Sequence, residues 1–137
     1  MIRGINHTSV ICQASIFKRE QDLADVLIQR EGHGREAVAA ELCDLADVWQ
    51  ADLILATGGT GPAPRDQTPE AMADVIGMEL AGFGEAMRAA NSRVVATAIL
   101  SRQGAGVRGK TLVITLPGSP NAIGTSLEAI FAAVPYC

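Results

Sequence analysis

Two apolar runs in the chain each end in a glycine-bearing turn. Asp52-Leu-Ile-Leu-Ala56 enters Thr57-Gly-Gly-Thr-Gly61, and Lys110-Thr-Leu-Val-Ile-Thr-Leu116 enters Pro117-Gly-Ser-Pro120. Apolarity that is continuous rather than alternating predicts strands covered on both faces, the pattern of a parallel sheet between helices. Residues 35–49 place Val38, Leu42, Leu45 and Trp49 at helical spacing with most charges elsewhere, which predicts a helix with Trp49 in the core. Thr68-Pro69-Glu70 combines a capping residue, a first-turn proline and an acid at a positive helix end, and Met72, Val75 and Ile76 follow before Gly77 closes the segment. Further helices are predicted over about Glu85–Asn91 and Asn121–Ala133, and Val94–Leu100 reads as at least partly strand. Residues 19–30 fit either a helix through Leu23, Val26 and Leu27 or a buried strand at Val26-Leu27-Ile28. Residues 1–18 offer only Ser9–Cys12 as a short strand, without alternation to support it.

Strands alternating with helices at these lengths predict βαβ units around a mainly parallel sheet. Ligands of such sheets bind beyond the carboxyl ends of the strands. Both glycine loops follow buried strands, so both are expected on that one edge.

Length and composition fit this picture. The 137 residues, 48% of them apolar, suffice for one core, and the chain is expected to be a single domain over 1–137. No apolar stretch approaches the ~20 residues of a membrane span, and no secretory leader is predicted. Cys12, Cys43 and Cys137 are odd in number and lack CxxC spacing, which favours reduced thiols in a cytoplasmic protein over a disulfide framework or zinc site. The net charge of −4 argues against a nucleic-acid-coating protein. The charge is uneven, however. After residue 86 the only acid is Glu128, beside Arg88, Arg93, Arg102, Arg108 and Lys110. That half suits a small anionic ligand such as a phosphate, or is an ordinary solvated surface.

The candidate chemistry clusters around the loops. Gly58, Gly59, Thr60 and Gly61 allow backbone N–H groups to approach an anion, though the spacing is neither Walker A nor GxGxxG, and a tight turn explains it equally well. Arg65 can bind phosphate bidentately. Asp66 can hold Mg²⁺ through oxygen, or it can cap the next helix or pair with Arg65. Ser101 and Arg102, followed by Gly104, Gly106 and Gly109 with Arg108 among them, are either an anion site or a solvated loop. His7 and His33 lack a second ligand at metal spacing.

Five segments in order, Thr57–Gly61, Pro64-Arg-Asp-Gln-Thr-Pro-Glu-Ala71, Gly82-Phe-Gly-Glu85, Leu100-Ser-Arg102 and Leu116-Pro-Gly-Ser-Pro-Asn-Ala122, resemble the MoaB/Mog-like molybdopterin-binding family, and within it the Mog-type adenylyltransferase branch. The closing Pro135-Tyr136-Cys137 is also similar, so the likeness runs from about residue 35 onward, with 1–34 poorly matched. The resemblance implies an α/β, three-layer fold with a mainly parallel central sheet flanked by helices, its N-terminal strand divergent or missing here. It implies molybdenum cofactor biosynthesis by a homotrimer: molybdopterin is adenylylated from Mg-ATP, pyrophosphate leaves, and a molybdate-insertion protein takes the product. On this likeness Gly58, Gly59, Thr60, Gly61, Pro117, Gly118, Asn121 and Ala122 hold the nucleotide. Asp66 is the catalytic, metal-associated carboxylate. Arg65, Thr68, Glu85, Ser101 and Arg102 fall on the pterin and phosphate side.

Three departures bear on activity. Nothing in residues 1–20 matches the family's Ser-Asp-Arg-like motif. Ala81 stands where a proline precedes the Gly-Phe-Gly-Glu segment. The family's second catalytic Asp falls at His33 by ungapped count, with Glu31 two residues away. The alternatives to an active enzyme are a non-catalytic molybdopterin-binding or assembly protein, or a related enzyme on the same fold.

Overall fold

In the computed structural model the described residues are 12–17 and 28–30, as backbone, and 34–137. Residues 9–11 of the expected Ser9–Cys12 strand, residues 19–27 of the helix-or-strand segment 19–30, and His33 and Glu31 lie outside them. Six strands form one sheet: β1 (Cys12–Phe17), β2 (Ile28–Arg30), β3 (Leu53–Thr57), β4 (Met78–Glu79), β5 (Ala105–Arg108) and β6 (Thr111–Leu116), in the order β2-β1-β3-β6-β5-β4. Among the described residues four α-helices flank it: α1 (Arg35–Cys43), α2 (Thr68–Val75), α3 (Ala81–Ser92) and α4 (Pro120–Ile130).

The side-chain period of two sorts the strands between two cores. On one face Ile54 of β3 and Val113 of β6 pack with Leu42, Leu45, Met72 and Val75 from the α1–α2 side. On the other, Leu112, Ile114 and Leu116 join Met87 and Ile130, with half-buried Leu53, Leu55, Phe83 and Leu127, from the α3–α4 side. Every residue of β6 is buried. The continuous apolarity of this strand therefore reflects burial on both faces, and the molecule is a three-layer α/β structure.

The parallel arrangement is confined to the centre. β3 and β6 run parallel, in register from Leu53 opposite Leu112 to Thr57 opposite Leu116. The flanking pairs β1–β2, β1–β3, β5–β6 and β4–β5 are antiparallel. β5 is joined to β6 by the two-residue turn Gly109-Lys110, with Gly109 at φ 57°, which allows only an antiparallel return.

Three local expectations are corrected. After Cys43 the first helix widens into a π turn over Asp44–Val48, with the Trp49 N–H donating to Asp44 O at 3.1 Å. One extra residue in the turn rotates the succeeding side chains by roughly 100°, and Trp49 emerges half exposed instead of in the core. Val94–Leu100 makes no described strand. Ala96–Leu100 is a 3₁₀ turn, with Ser101 N–H donating to Ala98 O, and the apolar side chains Val94, Val95, Ile99 and Leu100 face outward. The glycine-rich run after Arg102 is not a solvated loop but holds β5. There Gly106 is required by close approach, since a Cβ would lie 2.5 Å from Ile76 Cδ1 and 2.9 Å from Met78 O.

Candidate functional site

Both glycine loops open beyond the carboxyl ends of β3 and β6, as their strand contexts predict. Gly58 and Gly59 sit at φ 93° and 64°, conformations that disfavour any side chain. Gly58 N–H donates to Leu116 O at 3.0 Å, and a Cβ on Gly118 would come within 3.6 Å of Gly58 Cα, so the two loops touch. Thr68, first residue of α2 and buried, donates its N–H to Gly59 O. The cap position itself falls to Gln67, which makes no side-chain capping bond. α4 begins at Pro120 directly after the second loop. Two helix N-termini therefore face the edge where an anion would sit.

Asp66 is half-buried, and its position is fixed from three sides. Its N–H donates to Ala63 O at 2.9 Å, and its Oδ2 accepts from the Ala63 N–H at 3.3 Å. Oδ2 also lies 2.7 Å from where a Cβ on Gly61 would be, so that glycine is the space the carboxylate occupies. Asp66 is thus neither the cap of α2 nor paired with Arg65, which is exposed and forms no ion pair among the described residues.

Arg102 organises this loop more than it faces a ligand. Its N–H donates to Thr60 O at 2.7 Å, Nε to Gly61 O at 3.0 Å, Nη2 to Asp66 O at 2.5 Å, and Nη1 to the Glu70 carboxylate. The guanidinium hydrogen bond holds the Glu70 carboxyl below the usual glutamate range, against the opposing effect of burial. Arg108 is likewise committed, through a bidentate pair with Asp47 and a bond to Val75 O at 2.7 Å. The basic second half of the chain therefore ties the fold together at these two positions.

Two cavities meet at Ser101 and Gln103. One, of about 590 Å³, is walled by Glu85, Arg88, Ser101, Arg102 and Gln103, with Met72 and Ile76 among its apolar residues. The other, of about 330 Å³, is walled by Pro117, Ser119, Asn121 and Ala122, with Asn91, Ser101 and Gln103. Of the residues assigned by likeness to the pterin side, Glu85, Ser101 and Arg102 line the first cavity, whereas Pro117, Asn121 and Ala122 of the second nucleotide segment line the other. Ser101 belongs to both, and Arg65, Thr68, Asp66, Gly118 and Gly58–Gly61 line neither. Gln103 and Arg88 join the site without any motif to announce them. Gly84, within the Gly-Phe-Gly-Glu segment, marks their place: Arg88 Nη1 donates to Gln103 O at 2.8 Å, and a Cβ on Gly84 would lie 2.8 Å from that same oxygen. A third, more apolar cavity of about 400 Å³ lies at the opposite ends of β3 and β6, between Asp52, Lys110 and the end of α4.

Among the described residues no group of three or more His, Cys, Asp and Glu could hold a metal ion. Asp66 offers a single carboxylate, which suits Mg²⁺ when substrate phosphates and waters complete its octahedral shell. No helix among the described residues is long and apolar enough to cross a membrane.

Strand order, loop placement and helix ends define an α/β protein whose two glycine loops and two helix N-termini meet at the carboxyl edge of its central parallel pair. The chain belongs to the family described as a probable molybdopterin binding domain, which matches residues 18–135. It is 52% identical over 103 residues to the molybdopterin adenylyltransferase of Helicobacter pylori, covering 75% of this chain and 58% of that protein. It is 46% identical over 108 residues to the molybdopterin adenylyltransferase of Escherichia coli K12, covering 70% of this chain and 55% of that one. The chain thus spans little more than half the length of these relatives. Among solved structures, the molybdopterin biosynthesis enzyme MoaB of Thermus thermophilus superposes with a TM-score of 0.70 at 45% identity, over 75% of this chain and 65% of that one.

Proposed function

We propose that the chain carries the adenylyl-transfer site of molybdenum cofactor biosynthesis, joining AMP from Mg-ATP to the terminal phosphate of molybdopterin. The observation that carries this reading is the contact between the two glycine loops, with Asp66 seated against Gly61 beside them. In the reaction a phosphate oxygen of molybdopterin attacks the α-phosphorus of ATP, and pyrophosphate leaves. Such chemistry depends on positioning and charge neutralisation more than on covalent help.

The loops Gly58–Gly61 and Pro117-Gly118, with Asn121 and Ala122, bind the nucleotide through backbone donors and two helix N-termini. Ser101, Thr68 and Glu85 lie toward the pterin and its phosphate, and Arg65, exposed and without an ion pair among the described residues, is a cation that can approach a phosphate. Arg102 acts through the loop that it fixes. Mg²⁺, when bound, neutralises phosphate charge, and Asp66 is the residue that would hold it.

The exposed apolar strip Val94, Val95, Ile99 and Leu100 supports self-association, as a cytoplasmic homotrimer that passes its product to a molybdate-insertion protein. The activity is tested by incubating the protein with molybdopterin and Mg-ATP and separating adenylyl-molybdopterin and pyrophosphate by chromatography. Asp66→Asn is expected to lower the rate roughly a hundredfold or more, the scale of removing one preorganised electrostatic group, while molybdopterin still binds. Wild-type protein that binds molybdopterin without forming product decides for the non-catalytic binding protein instead.

A further inference from the structure

The wall shared by the two cavities holds a buried amide with a free end. Gln103 is 1% exposed, and its Nε2 has no hydrogen-bond partner among the described residues. Leaving a buried donor unpaired is expensive, so such a group calls for an explanation. Both oxygens of the residue are engaged. Its backbone oxygen accepts from Arg88 Nη1, and its Oε1 accepts from the Ser101 hydroxyl. Ser101 Oγ in turn lies 3.4 Å from Thr60 Oγ1. A polar chain therefore runs from the first glycine loop through Ser101 to Gln103 Oε1, and Nε2 is the end left without a partner among the described residues.

The cavity walls say what that end awaits. Arg88 walls the 590 Å³ cavity beside Gln103 together with Glu79 and Glu85, while the Arg102 side chain is committed to Gly61 O, Asp66 O and Glu70. What the free amide donor itself calls for is therefore an acceptor, and a phosphate oxygen is the acceptor it binds most strongly. Gln103 and Ser101 also wall the 330 Å³ cavity with Pro117, Asn121 and Ala122. If one cavity takes the pterin and the other the nucleotide, as adenylyl transfer requires, the group common to both is the phosphate that is being adenylylated.

We propose that Gln103 Nε2 donates a hydrogen bond to the terminal phosphate of molybdopterin where the two cavities meet, making Gln103 a substrate-positioning and specificity residue. The proposal rests on the adenylyl-transfer reading, and its test separates the two. Molybdopterin and its dephosphorylated form are titrated into wild type, Gln103→Met and Gln103→Glu, with folding checked by thermal melting. Gln103→Glu keeps the size and the Ser101 acceptor and loses the donor, so it serves if the Met variant does not fold.

Loss of a hydrogen bond to a charged group is expected to weaken molybdopterin binding roughly ten- to hundredfold in either variant. The dephosphorylated pterin should bind wild type and variants alike, which a merely structural role for Gln103 would not produce, and the KM for ATP should stay within about twofold. Equal molybdopterin affinity in wild type and a folded variant overturns the proposal and leaves the reading of the site intact, as does an equal loss for both pterins. A wild-type protein that binds neither pterin overturns both.

Discussion

The loop after β3 and the stretch from Val94 to Arg108 both rely on glycine, yet only the first is legible in the sequence. At Gly58 and Gly59 glycine answers a local demand, a positive φ at the end of a buried strand. That demand is written in the immediate sequence, because a covered apolar run must turn sharply to leave the sheet. At Gly106 glycine answers a remote demand, the approach of Ile76 and Met78 from a segment that precedes it by some thirty residues. Nothing near Gly106 announces those partners, so β5 has the sequence of a loop. The contrast separates glycines that shape the backbone from glycines that make room.

The largest effect that tests this contrast belongs to Gly106. A Cβ there meets the backbone oxygen of Met78 as well as Ile76, and backbone cannot swing aside. Gly106→Val is expected to destabilise the protein by about 3 kcal/mol, at the upper end for overpacking a filled site, measured by urea denaturation. A loss below about 1 kcal/mol would mean that β4 is free to shift away from β5 and that the room made by Gly106 is not needed.

Gly61 sharpens the contrast, because what it makes room for is functional. Its absent Cβ would meet only the Asp66 carboxylate, which can rotate. Gly61→Ala should therefore leave stability within about 1 kcal/mol and displace the carboxylate. A misplacement of that kind costs roughly a hundredfold in rate. Adenylyl-molybdopterin formation and a denaturation curve on the same preparation check it, and an unimpaired rate would remove Asp66 from the chemistry.

The same division explains what is readable elsewhere. β3, β6, α2 and both loop positions follow from continuous apolarity, a first-turn proline and strand-terminal glycines, all local signals. The exposure of Trp49 is not readable, because a single inserted residue in the turn Asp44–Val48 carries no compositional mark. Val94–Leu100 misleads because apolar side chains imply burial, and this chain leaves four of them exposed. At the site the residue types are evident from sequence, while their commitments emerge only in the fold. Arg102 and Arg108 both carry the charge a phosphate needs, but Asp66 O, Gly61 O, Glu70, Val75 O and Asp47 already take their donors. Gln103 is silent in the sequence because an uncharged amide in a glycine-rich run gives no signal until its burial is known.

The smallest effect concerns Glu70, whose pairing with Arg102 ties α2 to the Asp66 loop. Its carboxyl is held below the ordinary value, first by the Arg102 hydrogen bond. A lowered folded-state value means that the unfolded chain binds the proton more readily, so the contribution is present above the unfolded value of about 4.3 and is lost as pH falls through the folded one. The pair is more than a third exposed, and solvent screening limits it to about half a kcal/mol at neutral pH. Glu70→Gln should therefore melt slightly below wild type at pH 7, with the gap closing as pH drops below about 4. A gap that persists unchanged in acid would assign the loss to packing of the side chain, and the Arg102 clamp would then hold the Asp66 loop through its three carbonyl contacts, Thr60 O, Gly61 O and Asp66 O, without help from Glu70.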